Sequence, residues 1–272
     1  MPIIDFHTHF FPDKVAREAI AKMEGTSDHK AFTDGTSAGL IASMDRAGIQ
    51  SSVSLPVATN REKVGSINRF GAQAGNSRLF IMAALHPVSP DWRKDLEEAL
   101  GLGFVGVKLH PDYQEFKPDD PALLPFFAAL RDSGTLVVFH AGEDLSYRPP
   151  YGGEPARLAR LLDQVPGLKM VATHMGGYRM WDEVENCLLG KPVYMDTSFS
   201  FGEISDERIR AIISRQGDDY IMFGTDSPWL DQETEVKNLL RLGLGTAVEE
   251  KIFYANAVRL IPQLAALSCG GH

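Results

Sequence analysis

Cysteine is scarce: the 272 residues include two, Cys187 and Cys269. A disulfide-stapled scaffold uses more, so a disulfide framework is excluded. Basic charge is short as well. Lys and Arg number 27 against 36 Asp and Glu, a formal net charge of −9. A chain so acidic lacks the basic stripe that meets phosphates, which argues against nucleic acid as a partner and against a nuclease. No apolar run approaches the ~18 residues of a membrane span, so no membrane partner is expected. The opening Met1-Pro2-Ile3-Ile4-Asp5 has no basic region followed by an apolar one, and no signal peptide is read there. The expectation is a cytoplasmic protein. Low-complexity tracts, linkers and repeats are also missing, which points to one domain over residues 1–272.

What is present is a recurring pattern. Eight short apolar segments read as strands: Ile3–His7, Ser52–Val57, Leu79–Leu85, Phe104–His110, Thr135–His140, Leu168–His174, Val193–Thr197 and Tyr220–Thr225. They are continuous runs of Val, Ile, Phe and Met, as in parallel strands covered on both faces. Between them lie helical stretches: Ser37–Ala47, Asp91–Leu100, Pro121–Arg131, Glu154–Val165, Asp182–Leu188, Asp206–Ser214, Glu233–Leu242 and Ala247–Leu267, the last interrupted near Pro262. Phe10–Gly35 reads as a long first connection, part helix and part loop. Eight strand–helix repeats in a chain this long predict an α/β fold, a single (β/α)8 TIM barrel. Loop and tail positions for His29 and His272 predict solvated side chains.

The polar residues fall in one class of place. Strand after strand is apolar until its last residues and then ends in a metal-binding side chain. Strand one ends Asp5-Phe6-His7-Thr8-His9, strand five in His140, strand six in His174, and strand eight in Asp226. Barrels of this kind carry their chemistry at the carboxyl ends of the strands. Residues two apart on a strand share a face, so His7 and His9 can reach one ion. Imidazoles with one carboxylate make a borderline-soft site, which predicts zinc. Asp5 is read either as an orienter of a histidine ring or as inert. His86, beside a proline, is read as an ordinary hydrogen-bonding residue.

With these residues in view, the chain resembles the amidohydrolase superfamily, in the branch that includes aminocarboxymuconate-semialdehyde decarboxylase. The matching pieces are Asp-Phe-His7-Thr-His9-Phe, Gly-Val-Lys-Leu-His110-Pro, His140-Ala-Gly, Thr-His174-Met-Gly-Gly, Asp196-Thr-Ser, Phe-Gly-Thr-Asp226-Ser-Pro-Trp and Ile252-Phe-Tyr-Ala-Asn256-Ala-Val-Arg259-Leu. The resemblance spans nearly the whole chain. It implies one divalent metal ion held by His7, His9, His140 and Asp226, with His174 and Asp226 as catalytic groups that move protons near it. Several branches hold two metals bridged by a carboxylated lysine or a glutamate on strand four. This chain has Lys108 there, expected unmodified, so one ion per chain is expected and His110 becomes a substrate-side or supporting group.

Two reactions share such a cage. The breadth of hydrolytic chemistry in the superfamily favours a metal-dependent hydrolase of a small amide, ester or lactone-type substrate. The alternative is non-oxidative decarboxylation of a small aromatic or muconate-like acid; an inactive metal-binding barrel is a further alternative. Substrate-binding candidates are His110, Arg61, Arg148, Arg179 and Trp229, with Tyr151 and Trp181 nearby in sequence. A pair of arginines would clamp a carboxylate, and aromatic rings would hold a planar substrate. The expected partner is a small molecule, in a chain compatible with a homodimer.

Overall fold

The computed structural model describes residues 1–25 and 30–268. The readings on His29, His272 and the Cys269–His272 tail lie outside the described residues. The strands are β1 (Ile4–Thr8), β2 (Ser51–Ser54), β3 (Leu79–Ile81), β4 (Ala83–Ala84), β5 (Gly106–Leu109), β6 (Leu136–Phe139), β7 (Met170–Ala172), β8 (Tyr194–Asp196) and β9 (Ile221–Met222). The chain forms two compact units, one of Met1–Ser54, Ala74–Phe80 and Asp196–His272, the other of Leu55–Gln73 and Ile81–Met195.

In the first unit β1 runs parallel to β2, with Ile4 opposite Ser51 and Asp5 opposite Ser52. On the far side of β2, the Ser52 N–H donates to the Arg78 carbonyl at 2.9 Å, just ahead of β3. On the other side of β1, the Phe6 N–H donates to Phe223 O at 2.8 Å, and Thr197 in turn donates to Met222 O at 3.1 Å. β9 therefore lies between β1 and the end of β8. Helices Ser37–Ala47, Asp206–Gln216 and Gln232–Arg241 each bury one stripe, Leu40 and Met44, Ile209 and Ile212, and Val236 and Leu239. Thr36, Ser205 and Asp231 cap their first turns with side-chain oxygens.

The long final helix read from the sequence is divided. Thr246–Glu250 passes through a π-helical turn, Lys251–Ala255, into Asn256–Leu260; the chain then breaks at Pro262 before Leu264–Ser268. Within the π turn the Ile252 carbonyl accepts the Phe223 N–H at 2.8 Å. The Asn256 amide donates to Asp218 O and Ile221 O, both at 2.7 Å. A helix here supplies the hydrogen bonds that a two-residue strand cannot find in its sheet, as buried backbone groups require.

In the second unit β4 to β8 follow one another in parallel register: Ala84 opposite Lys108, Leu109 opposite Phe139, Phe139 opposite Ala172 and Ala172 opposite Met195. Phe127 packs between Phe126 and Phe139, with ring centroids 5.2 and 5.8 Å away. Helix Val64–Ala74 has no counterpart in the sequence reading. Its glycines, Gly65 and Gly71, dilute the helical signal. Tertiary structure supplies a hold instead: buried Asn68 exchanges two hydrogen bonds with the Ala84 backbone, at 2.8 and 3.0 Å. The apolar segment Leu79–Leu85 is two strand pieces, and most strands are shorter than their apolar runs.

Candidate metal centre

The first unit gathers three donor atoms. His9 Nε2 lies 3.3 Å from His7 Nε2. Asp226 Oδ1 lies 3.4 Å from His7 Nε2 and 3.0 Å from His9 Nε2. Atoms bound to one tetrahedral ion at about 2.0–2.1 Å stand roughly 3.3 Å apart, so the trio is spaced as a ligand set. The protonation pattern agrees. The His7 Nδ1–H donates to Asp196 Oδ2 at 2.9 Å, with Ser198 Oγ 3.1 Å away. That leaves His7 Nε2 with a lone pair, turned toward a carboxylate oxygen. Donor atoms facing one another are the chemistry of a cation site.

Local sequence explains the convergence. His7 and His9 project from the end of β1, and the Asp226 N–H donates to His7 O at 2.7 Å, which ties the two segments together. Gly224 lets them close: a Cβ there would stand 2.9 Å from His7 Cβ and 3.1 Å from Asp196 Cβ. Asp226 itself has φ +61°, a left-handed conformation that is uncommon outside glycine and clusters at functional sites. Beneath lies Asp5, fully buried. It accepts from the Thr225 hydroxyl at 2.6 Å, the Gln232 amide at 2.7 Å, the Thr225 N–H at 3.0 Å and the His7 N–H at 3.1 Å. Burial pushes its carboxyl up to about 6, against the pull of these donors. Asp5 thus braces backbone rather than an imidazole. The ring of His7 is oriented by Asp196 and Ser198, roles the sequence reading missed; an acid ending β8 was the available signal.

The second unit holds a different histidine cluster. The His140 Nε2–H donates to Glu143 O at 3.0 Å, leaving Nδ1 unprotonated, 3.2 Å from His174 Nε2. Burial, then the neighbouring His110, His174 and Lys108, hold the His140 imidazole well below its usual range. A neutral imidazole is what a metal requires. His174 also has a left-handed backbone, φ +59°, and the Trp181 indole N–H donates to its carbonyl at 3.1 Å. Lys108 is buried in β5.

His110, His140 and Asp144 bring a further set of ligand-type atoms within 4.8 Å of one another. Their rings do not have the geometry of a converging ligand set. The His110 and His140 rings are stacked at 4.1 Å and 8°, which puts their nitrogens in parallel planes instead of on one point.

The remaining candidates differ in exposure. Arg61, Arg148 and Arg179 are exposed. Arg179 lies over the Tyr178 ring, 5.0 Å from its centroid. Arg61 is close enough for its charge to lower the His86 imidazole, after the effect of burial. Trp229 and Tyr151 are half-buried and Trp181 is buried. Among the described residues, no helix is long and apolar enough to cross a membrane.

The amidohydrolase family pattern matches residues 4–263. The chain belongs to the amidohydrolase family. No curated protein sequence matches it. Solved structures do. An uncharacterized TIM-barrel protein from Bordetella bronchiseptica has a TM-score of 0.78 at 19% identity, covering 97% of this chain and 100% of its own. 2,6-Dihydroxybenzoate decarboxylase from Rhizobium has a TM-score of 0.73 at 18% identity over 97% of this chain and 99% of its own. 5-Carboxyvanillate decarboxylase from Novosphingobium aromaticivorans, solved with manganese and 4-hydroxy-3-methoxy-5-nitrobenzoic acid, has a TM-score of 0.71 at 18% identity over 95% of each chain. These likenesses give the amidohydrolase a parallel α/β fold of the TIM-barrel class. They also correct the sequence-based preference for hydrolysis: the activities named among these structures are decarboxylations. Breadth of chemistry across a superfamily was a poor guide, because one metal cage serves both reactions.

Proposed function

We propose that this amidohydrolase is a metal-dependent, non-oxidative decarboxylase of a small aromatic or muconate-like carboxylic acid. The observation that carries the metal is the trio His7 Nε2, His9 Nε2 and Asp226 Oδ1 at ligand spacing, with His7 held by Asp196. Decarboxylation is supported by the activities of the decarboxylases that share this fold at near-equal length. From the family resemblance, His140 joins the ligand set, and its unprotonated Nδ1 suits that role. The donor set favours zinc; manganese, found in the 5-carboxyvanillate enzyme, is the rival.

The bound ion supplies Lewis-acid chemistry that fixes and polarises an anionic substrate. The chain's own task is the proton. When the bond between a ring carbon and its carboxylate breaks, the electron pair stays on the carbon and CO2 leaves. A proton must then reach that carbon, and Asp226 and His174 are the groups proposed to carry it. Arg61, Arg148, Arg179 and Trp229 are proposed to meet the substrate. The test is CO2 release and product analysis on dihydroxybenzoates, 5-carboxyvanillate and muconate-type acids, using protein loaded with zinc or with manganese and quantified by elemental analysis. Release of one CO2 per carboxylate consumed supports the reading. Metal-loaded protein that leaves every such acid intact overturns it.

A further inference from the structure

The flat contact between His110 and His140 has a structural purpose that a substrate role for His110 does not explain. Both ring nitrogens of His110 are engaged. Nε2–H points to Asp144 Oδ2 at 3.2 Å, and Nδ1 accepts the Tyr113 N–H at 3.4 Å. Both ring faces are covered too, by Tyr113 at 3.9 Å and 6° and by His140 at 4.1 Å and 8°. The residue is only 5% exposed. A substrate would find neither a free nitrogen nor a free face.

We propose that His110 is a positioning residue, whose ring, fixed by Asp144, sets the plane in which His140 presents Nδ1 to the metal ion. The proposal rests on the reading of His140 as a ligand. Three parallel rings, Tyr113, His110 and His140, form a stack that permits His140 to turn only by disrupting it. The Glu143 carbonyl holds the edge of the His140 ring, and the stack holds its face. His110 is itself anchored at the backbone. Its N–H donates to Gln114 Oε1 at 2.9 Å, and the Gln114 amide donates to Leu85 O at 2.7 Å and Ala58 O at 2.9 Å. This buried glutamine is inserted between the ends of β4 and β5, where a regular ladder would continue. Asp144 is held below the usual carboxylate range: burial pushes it up, but the His110 bond and charge outweigh that. The whole device is built from one short segment, His110-Pro-Asp-Tyr113-Gln114, and the Asp144 loop.

The experiment uses Co2+ as the probe, with the full chain. For the unaltered protein, His110→Leu, His110→Phe, Asp144→Asn and Tyr113→Leu, Co2+ affinity is measured by chelator competition, the ligand-field spectrum is recorded, and Tm is taken on the metal-free protein. Outer-shell partners of a ligating histidine typically govern roughly 10–100-fold in metal affinity. His110→Leu should weaken Co2+ binding to that extent and shift the ligand-field bands. His110→Phe keeps a flat ring in the stack but loses the Asp144 bond, and should recover part of the affinity. Should His110→Leu fail to fold, Tyr113→Leu, which removes the outer ring of the stack, is expected to move the same two readouts in the same direction. A fall in Tm with unchanged affinity and spectrum makes His110 a packing residue and overturns the proposal. Equal losses in the Phe and Leu variants overturn it also, since the ring plane would then be irrelevant. His140→Ala separates the two readings. If it binds Co2+ like the unaltered protein, the ligand assignment fails; if it loses Co2+ while His110→Leu does not, only the positioning role fails.

Discussion

His7 stands between two carboxylates, Asp196 on Nδ1 at 2.9 Å and Asp226 facing Nε2 at 3.4 Å. The first of these fixes which nitrogen carries the proton, and so which nitrogen is left for a metal. Changing His7 and His9 together to alanine is expected to abolish metal binding while the circular dichroism of a folded α/β protein persists; full occupancy by elemental analysis would refute the assignment. Asp196→Asn is the milder case. It keeps the shape but weakens the pull on Nδ1–H, and should reduce metal affinity by about 10–100-fold. His174 is proposed to differ in kind: outside the proposed ligand set of His7, His9, His140 and Asp226, it would move protons. His174→Asn should lower turnover about 10²–10⁴-fold with metal content nearly intact. Normal turnover per bound metal, or loss of the metal with the rate falling only in proportion, would remove it from the catalytic set.

Single elements carry their own conflicts. Helix Gln232–Arg241 buries Glu235, which is 4% exposed. One oxygen accepts from the Asn238 amide at 2.8 Å, and no cation compensates strongly. Burial pushes the carboxyl from 4.5 to about 7, with nearby Asp5 adding to the rise. The raised value means that the fold prefers the protonated acid. This contribution is therefore complete below pH 4.5 and is lost as pH rises through about 7, an upper limit of ~3 kcal/mol. Glu235→Gln should raise Tm by a few degrees at pH 8 and by much less at pH 5; equal shifts at both would show that ionisation is not the cause. The turn after β6 is constrained by sterics instead. Gly142 has φ +89°, and a Cβ there would lie 2.2 Å from Tyr178 N and 2.3 Å from Tyr178 O. Those are backbone atoms, already tied by Tyr178 N–H to Ala141 O and Glu143 N–H to Tyr178 O. Gly142→Ala should cost several kcal/mol in urea denaturation, whereas a cost under ~1 kcal/mol would mean that the two segments separate freely.

At the scale of the whole molecule, a ligand that binds only the folded chain stabilises it by mass action. With free zinc or manganese at about 1,000 times its Kd, the gain is about 4 kcal/mol. Metal-loaded protein should melt above chelator-treated protein, and the His7/His9 double variant should melt at one temperature in both. Identical melting of loaded and stripped protein would contradict a resident ion. Elemental analysis should return one ion per chain, with Lys108 unmodified. A second equivalent that disappears in Lys108→Ala would overturn that expectation.

Much of this was legible in the sequence because it depends on local periodicity. Apolar runs of strand length, helix stripes and caps such as Thr36 follow from neighbours in the chain, and so did the repeated β/α pattern. The histidines and Asp226 were legible for a related reason: a polar residue ending an apolar strand has few places to point. Other features needed tertiary structure. Helix Val64–Ala74 owes its hold to Asn68 bonding Ala84, a partner 16 residues away. The tautomer of His7 is set by Asp196, 189 residues distant. The division of the last helix reflects Ile252 and Asn256 satisfying the end of β9. His110 reads in the sequence as either a substrate-side or a supporting group, because its strand-end position is visible there and its covered faces are not. Composition and spacing determined which residues could bind a metal; which nitrogen each one offers was decided by hydrogen bonds and ring contacts that only folding brings together.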